Sequence, residues 1–451
     1  MKRAKLWIVA ALVVILVACG GDSNQEEYNN GWYTGYENGN DNERGEAALL
    51  PFPIPEGDRV HETPPTTSNI WTPPLATDGP LELEIDRSAV VAAGGSRSFA
   101  IDANGVLWAW GSNSNGRLGD GTTENRYEPV QIIENAAVIT TGTHTSQAVL
   151  ENGDLMSWGM NGNNIQGNTL QFPNGGVGDG TFMDRHEPIR IMQNMVSASG
   201  AAAFSTGLRD NGDVYFWGNF PMSTGLRQNI STVQTIVVYG NFDSPTSTLY
   251  GTTQVFAGTN AIMAISHEGH LYGWGSGLRN TLGSTAGFAD SFFMFVTRIV
   301  DDVSMAAMGS EHYLVLTQEG RLYGWGGNRF GQVGDGTTAS SYAPIFIMDD
   351  VIYIAAGHQH SLAITSGGTL YAWGNNQFGR LGTGDTNLRN TPTAIMQDVN
   401  TASAGTTHSV AITNNGQLWA WGDNRSGQLG DGTTTSQHSP IMIMENMRLA
   451  Q

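Results

Sequence analysis

Three histidines, His312, His360 and His408, recur at intervals of 48 residues, and imidazoles set in a repeat are the first candidates for metal ligation. Four aspartates, Asp120, Asp179, Asp335 and Asp431, stand in Gly-Asp-Gly triplets, where glycine-flanked carboxylates could hold calcium. The spacing argues against both readings. Equivalent positions of successive repeats do not converge on one point, and Arg97 and Ala261 occupy the histidine register elsewhere. Each triplet offers a single carboxylate, so turn formation by aspartate is the simpler explanation. The histidines are expected to make one structural hydrogen bond per repeat. Asp301-Asp302 and Asp349-Asp350 begin repeats and read as strand caps. No Gly-x-Ser-x-Gly, His-Glu-x-x-His or phosphate loop is present. The expectation is a non-enzyme with no catalytic residue, no metal and no cofactor.

The only lysines, Lys2 and Lys5, flank Arg3 ahead of a 12-residue apolar run, Leu6 to Val17. A charged start, a short apolar core and small residues before a cut describe a secretory signal. The run is too short to cross a bilayer comfortably. The sole cysteine closes the segment, and Leu16-Val17-Ala18-Cys19 resembles the lipobox of bacterial lipoproteins. The resemblance implies removal of residues 1–18 and lipidation of Cys19. It also implies an extracytoplasmic chain, lipid-anchored to the bacterial cell membrane or cell surface. A lone cysteine leaves the fold without an internal disulfide.

Without that leader the chain holds 18 arginines against 41 acids, a net charge near −23. Such a surface repels phosphate backbones, which argues against nucleic-acid binding. Residues 19–84 are rich in Asn, Gly and Pro, with ten acids between Asp22 and Glu62 against Arg44 and Arg59. This composition cannot offset the cost of ordering, so the segment is expected to be a disordered tether. Trp32, Tyr33, Tyr36 and Trp71 are among its few large aromatics.

The elements that must carry everything else are repeats over residues 85–451. Trp-Gly occurs at Trp110, Trp158, Trp217, Trp274, Trp325, Trp373 and Trp421, each with a glycine five residues earlier. Short β-favouring runs alternate with glycine turns. Asn-Gly at Asn104-Gly105, Asn152-Gly153, Asn211-Gly212 and Asn415-Gly416 predicts two-residue hairpins with positive φ at both positions. After the turn, Leu370 and Ala372 alternate with Tyr371 and Trp373, placing the two sets on opposite faces of a strand. One small sheet per repeat cannot bury its own faces, so the sheets must stack as propeller blades. The count predicts an all-β, seven-bladed β-propeller, with the Trp-Gly tryptophans, Trp108 and Trp419 packed in its core. Glu445 to Leu449 matches a repeat start, and either chain end could supply the closing strand.

With GHQHSLAIT, TLYAWG and NNQFGRLGTG between Gly357 and Gly384, and SGQLGDGTT from Ser426, the chain resembles the regulator of chromosome condensation repeat family. That resemblance implies the same seven-bladed propeller. Repeats three and four lack the Gly-Asp-Gly loop, and repeat two carries an insertion near Asn164–Gly176. Long loops on a rigid scaffold are where specificity sits, so Phe220, Tyr239, Phe242 and Phe288 are the candidate partner-binding residues. The expected function is a monomeric protein-interaction module for an exported or cell-surface protein. A second reading, from similarity to β-lactamase inhibitory proteins, is inhibition of an extracellular enzyme of the β-lactamase or penicillin-binding type. A carbohydrate-binding or enzymatic propeller is the third. The nucleotide-exchange role of the eukaryotic family does not carry over to an exported, acidic chain.

Overall fold

A computed structural model describes residues 82–162, 176–201, 204–221, 227–235, 251–259, 261–275 and 297–451. The leader, Cys19 and nearly all of the tether lie outside them. The strands form seven four-stranded antiparallel sheets, each built from consecutive strands of the chain. The innermost strands touch around a closed circle, with Val399–Ala404 of blade 7 against Val91–Gly94 of blade 1. The seven-bladed propeller expected from the repeats is the observed fold.

Blade 1 shows how the local sequence builds a sheet. Its second strand, Arg97–Ile101, pairs with Leu107–Gly111 through a turn at Asp102–Val106. The turn differs from the expected two-residue hairpin. Gly105 has a φ of 80°, whereas Asn104 is not among the residues with positive φ. Asp102 N donates to Val106 O and Gly105 N to Asp102 O. This is a three-residue connection, with a turn closed by one left-handed glycine. The same bonds recur at Leu150–Asp154 and Thr413–Gln417. Only the glycine must adopt the conformation that a Cβ disfavours.

Stacking buries both faces of the third strand. Leu370, Ala372 and Trp373 are all fully buried, and Tyr371 is half-buried. Six tryptophans of the Trp-Gly pairs have no exposed surface: Trp110, Trp158, Trp217, Trp325, Trp373 and Trp421. Each of five blade loops offers a glycine to the next blade's indole. A Cβ on Gly119 would lie 2.7 Å from Trp158 Nε1, and one on Gly430 would lie 2.8 Å from Trp110 Nε1. At four of them a loop carbonyl also receives the indole N–H, as in Trp158 Nε1 to Arg117 O and Trp110 Nε1 to Gln428 O, both at 3.0 Å. Trp108 and Trp419 were expected to pack equally deeply, yet both are only half-buried at the edges of their core clusters. Trp108 keeps its N–H satisfied by Asp102 Oδ2 at 3.1 Å.

The outermost strands carry Pro129, Pro188, Pro344, Pro392 and Pro440 at one repeated position. Proline there blunts an otherwise open sheet edge.

Both chain ends supply the closure. The innermost strands of blades 2 to 7 have six residues, whereas that of blade 1 has four. Met447 completes it by bridging to Asp102, and Arg448 N donates to Ile101 O. The residues ahead of blade 1 run back across its neighbours. Ala89 O accepts from Ile139 N of blade 2, Asp86 N donates to Val196 O of blade 3, and Leu83 N to Asp210 O. Glu151 of blade 2 pairs with Arg87 at 2.8 Å and Arg448 at 2.7 Å, stapling the two ends together. Deleting Met447–Gln451 removes a buried methionine and these rungs. The expected loss is about 2–4 kcal/mol, read as a lower urea midpoint.

Candidate functional site

In an antiparallel blade, successive connections emerge at alternate ends. Loops joining the first to the second strand and the third to the outermost strand therefore share one end of the propeller, here termed the loop face. Hairpin turns and interblade turns share the other. The interblade turns need one left-handed residue, supplied by Asn135, Asn194, Asp302, Asp350, Asp398 and Asn446 at φ near 60°. Asp301-Asp302 and Asp349-Asp350 thus shape turns rather than chemistry.

The Gly-Asp-Gly loops are framed by a buried asparagine. Asn113 Oδ1 accepts from Leu118 N at 2.9 Å, and its Nδ2 donates to Asp120 Oδ1 at 2.8 Å. Asp120 also accepts from Thr122 N and Oγ1 and from Arg126 Nε. Burial alone would raise the Asp120 pKa, but hydrogen bonds from Arg126, Thr122 and Asn113 outweigh it and hold the carboxyl below its ordinary range. Asn161 with Asp179, Asn328 with Asp335, and Asn424 with Asp431 repeat the frame. Blade 6 exchanges the two positions, so that Thr383 and Asp385 both receive Asn376 Nδ2. These carboxylates are committed to their own turns.

The repeated histidines join blades. His312 Nε2 lies 2.8 Å from Ser361 Oγ, His360 Nε2 2.9 Å from Ser409 Oγ, and His408 Nε2 2.8 Å from Ser98 Oγ. Each serine donates its single hydrogen onward, to Gln332 O, Arg380 O and Gln428 O respectively. The imidazole must therefore donate from Nε2, which fixes the neutral tautomer. Burial pushes His312 down to about 3 and His408 to about 4, and pushes His360 well below its usual value. Arg97, in the same register, instead reaches into blade 2. It donates to Thr141 Oγ1, to Ser146 Oγ, and to the carbonyls of Gly142, Thr143 and Thr145. Burial lowers its pKa to about 9.

At the axis, a cavity of about 120 Å³ is ringed by residues such as Gly94, Gly142, Gly200 and Gly405 from successive blades. A Cβ on Gly142 would sit 1.8 Å from Ala201 O, so the blades meet at backbone distance. Among its lining residues His358 is the one with a titratable side chain.

Of the aromatic candidates, Phe220 is the penultimate residue of the strand Val214–Pro221, its backbone paired with Gln228. Tyr239, Phe242 and Phe288 lie outside the described residues, as does Cys19. Sequence reasoning passed over Phe182 and Met183 of the blade 2 loop, which are 42% and 67% exposed. Aligning the loops would have found them, because blades 1 and 7 carry Thr123-Glu124 and Thr434-Thr435 there.

The RCC1-like domain pattern matches residues 174–451, more than half of the chain, and the Regulator of chromosome condensation (RCC1) repeat matches residues 104–146 and 89–117. The chain belongs to the RCC1-like domain family. This RCC1-like chain is 26% identical over 254 residues to the guanine nucleotide exchange factor SRM1 of Saccharomyces cerevisiae, covering 54% of its own length and 45% of the relative. It is 27% identical over 262 residues to the ultraviolet-B receptor UVR8 of Arabidopsis thaliana, covering 56% and 45%. It thus spans under half the length of these curated relatives. The crystal structure of Prp20p from Saccharomyces cerevisiae, studied for its binding to Gsp1p and histones, superposes with a TM-score of 0.63 at 22% identity, covering 76% of this chain and 87% of that one. Human WBSCR16 superposes with a TM-score of 0.58 at 19% identity, covering 75% and 94%. At these identities the RCC1-like propellers share a fold.

Proposed function

We propose that this RCC1-like propeller is a protein-interaction module anchored outside the cytoplasm through lipidated Cys19, and that it holds another exported or cell-surface protein on its loop face. The observation that carries the reading is the exposure of Phe182 and Met183. Their loop is fixed by the Asn161–Asp179–Thr181 frame, so two large apolar side chains are held in solvent on a rigid support. Exposed apolar groups beside variable loops are where partner surfaces dock. The side chains with chemical potential are spent on packing and turns, which leaves the loops as the variable surface. Prp20p is described by its binding to other proteins, which agrees with a binding role.

Two measurements test the reading. In a bacterial host, the full chain should fractionate with membranes and Cys19→Ser should not. Crosslinking on intact cells should yield a defined adduct that Phe182→Ser/Met183→Ser reduces by about tenfold or more, with the thermal midpoint unchanged. An adduct unaffected by the double variant would overturn the assignment of the loop face.

A further inference from the structure

Two blades share one departure from the repeat. Arg117 of blade 1 and Arg380 of blade 6 stand where blades 5 and 7 have Gln332 and Gln428. Arg380 is fully provided for. It is 2% exposed, donates from Nε to Gln377 O at 3.1 Å and from Nη1 to Thr406 O at 2.9 Å. The Asp423 carboxylate of blade 7 acts on it electrostatically, while its own oxygens are bonded by Arg425 and Thr407 Oγ1.

At the junction of blades 1 and 2 those provisions are replaced. Thr143 stands for Thr406, but its carbonyl is taken by Arg97 Nη1 at 3.0 Å. Met160 stands for Asp423, with its Sδ 3.7 Å from Arg117 Nη2. Arg117 Nη2 otherwise reaches Asn115 Oδ1 at a long 3.4 Å, and Arg117 Nε is buried without an acceptor. His144 stands for Thr407, and its buried Nδ1 also lacks a partner. Among the described residues neither Arg97 nor Arg117 forms an ion pair. Asp184 acts on Arg117 electrostatically, but its oxygens are occupied by Asn161 N, Gly162 N and Asn115 Nδ2. The inserted segment 163–175 contains no acid. Burial, then the charges of Arg117 and Arg97, push His144 down to about 4. Two guanidinium groups and an imidazole thus share one junction without a carboxylate paired to either arginine.

We infer that this junction is a carboxylate-binding site, in which a bound molecule places a carboxylate against Arg117 and His144, at the place that Asp423 holds at the junction of blades 6 and 7. Guanidinium and carboxylate match in geometry as well as charge. The strong net negative charge of the chain disfavours polyanions and leaves a single carboxylate as the fitting ligand. Asp184, bonded to Asn115 across the junction, directly follows Met183, so the site adjoins the exposed apolar pair. That the carboxylate is borne by a protein, on a side chain or a C-terminus, rests on the proposed function. The site itself does not.

The test follows the histidine ring signals by NMR in the full chain carrying Cys19→Ser, with His144 assigned from His144→Gln. Acetate at constant ionic strength should shift the His144 signal saturably and raise its apparent pKa by about one unit. Arg117→Gln should weaken this at least tenfold. Met160→Asp should do the same while raising the thermal midpoint, because it installs the carboxylate of blade 7 in cis. No saturable shift, an equal response to chloride or phosphate, or unchanged acetate binding in Met160→Asp would overturn the site. Two peptides then identify the carrier: one with an internal Glu and an amidated end, the other acid-free with a free C-terminus. Binding of either, lost in Met160→Asp, supports the protein-borne carboxylate and names its source. Acetate binding with neither peptide bound keeps the site and overturns that carrier.

Discussion

Lowering the pH from 7 to 5.5 is expected to remove about 5 kcal/mol of stability, with three histidines responsible for most of it and His144 for the rest. His312, His360 and His408 are neutral and buried, with folded pKa values pushed far below the ordinary 6.5. The sign follows from proton uptake. Below 6.5 the unfolded chain binds protons that the folded chain refuses, so each histidine lowers stability by about 1.4 kcal/mol per pH unit. The loss continues until the folded values near 3 to 4 are reached. Above 6.5 the contribution is complete and flat. Asp385, held down to about 2 mainly by Arg389, acts only at lower pH, so the windows separate. Urea midpoints between pH 7 and 5 measure the slope. His360→Gln, whose amide can still donate to Ser409 Oγ, should reduce that slope by about a quarter. A stability profile flat from pH 7 to 5 would refute the assignment.

Replacing Trp373 by Ala is expected to cost about 3–5 kcal/mol, because a fully buried indole leaves a void between two blades. The surroundings cannot close over it. The third strand is held on both faces, and Gly334 is shaped to this ring, since a Cβ there would lie 2.6 Å from Trp373 Nε1. A paired substitution isolates the hydrogen bond from the packing. Trp373 Nε1 donates to Gln332 O at 3.0 Å, whereas the buried Trp421 Nε1 has no acceptor. Trp373→Phe should therefore cost about 1 kcal/mol more than Trp421→Phe. Equal losses in the two variants would mean that the indole N–H contributes nothing to the junction.

The blades were legible because what defines them is local. A tryptophan, its glycine and the turn five residues earlier lie within one hairpin, so a constant spacing reports a constant structure. Gly111 shows why the pair is obligatory. Its φ is 104° and a Cβ would sit 2.5 Å from Ser96 O. The turn type was not legible, since Asn-Gly serves both a two-residue turn and a longer one ending in a left-handed glycine. Closure escaped because the first blade's inner strand joins residues from opposite ends of the chain. The Arg117 junction escaped for a related reason. Arg117, His144 and Met160 are unremarkable in their own repeat. They become unbalanced only when set beside Arg380, Thr407 and Asp423, two junctions of the same ring. Loops that depart from the repeat are visible in the sequence as a class. However, the blade 2 residues held in solvent, Phe182 and Met183, were not the aromatics singled out.

The docked segment before blade 1 has a mechanical consequence. Tension on the chain ahead of Glu82 would not reach the seam first. It would load Leu83 N to Asp210 O and then Asp86 N to Val196 O, both on blade 3, followed by the Arg87–Glu151 pair and the Ala89 contact on blade 2. These attachments lie in series along the chain, and each must yield before the short inner strand of blade 1 can be peeled from Arg97–Ile101. The weakest closure of the ring is thereby placed last in line. A propeller hung from its N-terminus and gripped by a partner would carry its tether as a strain relief, much as a cable is clamped before it reaches its connector.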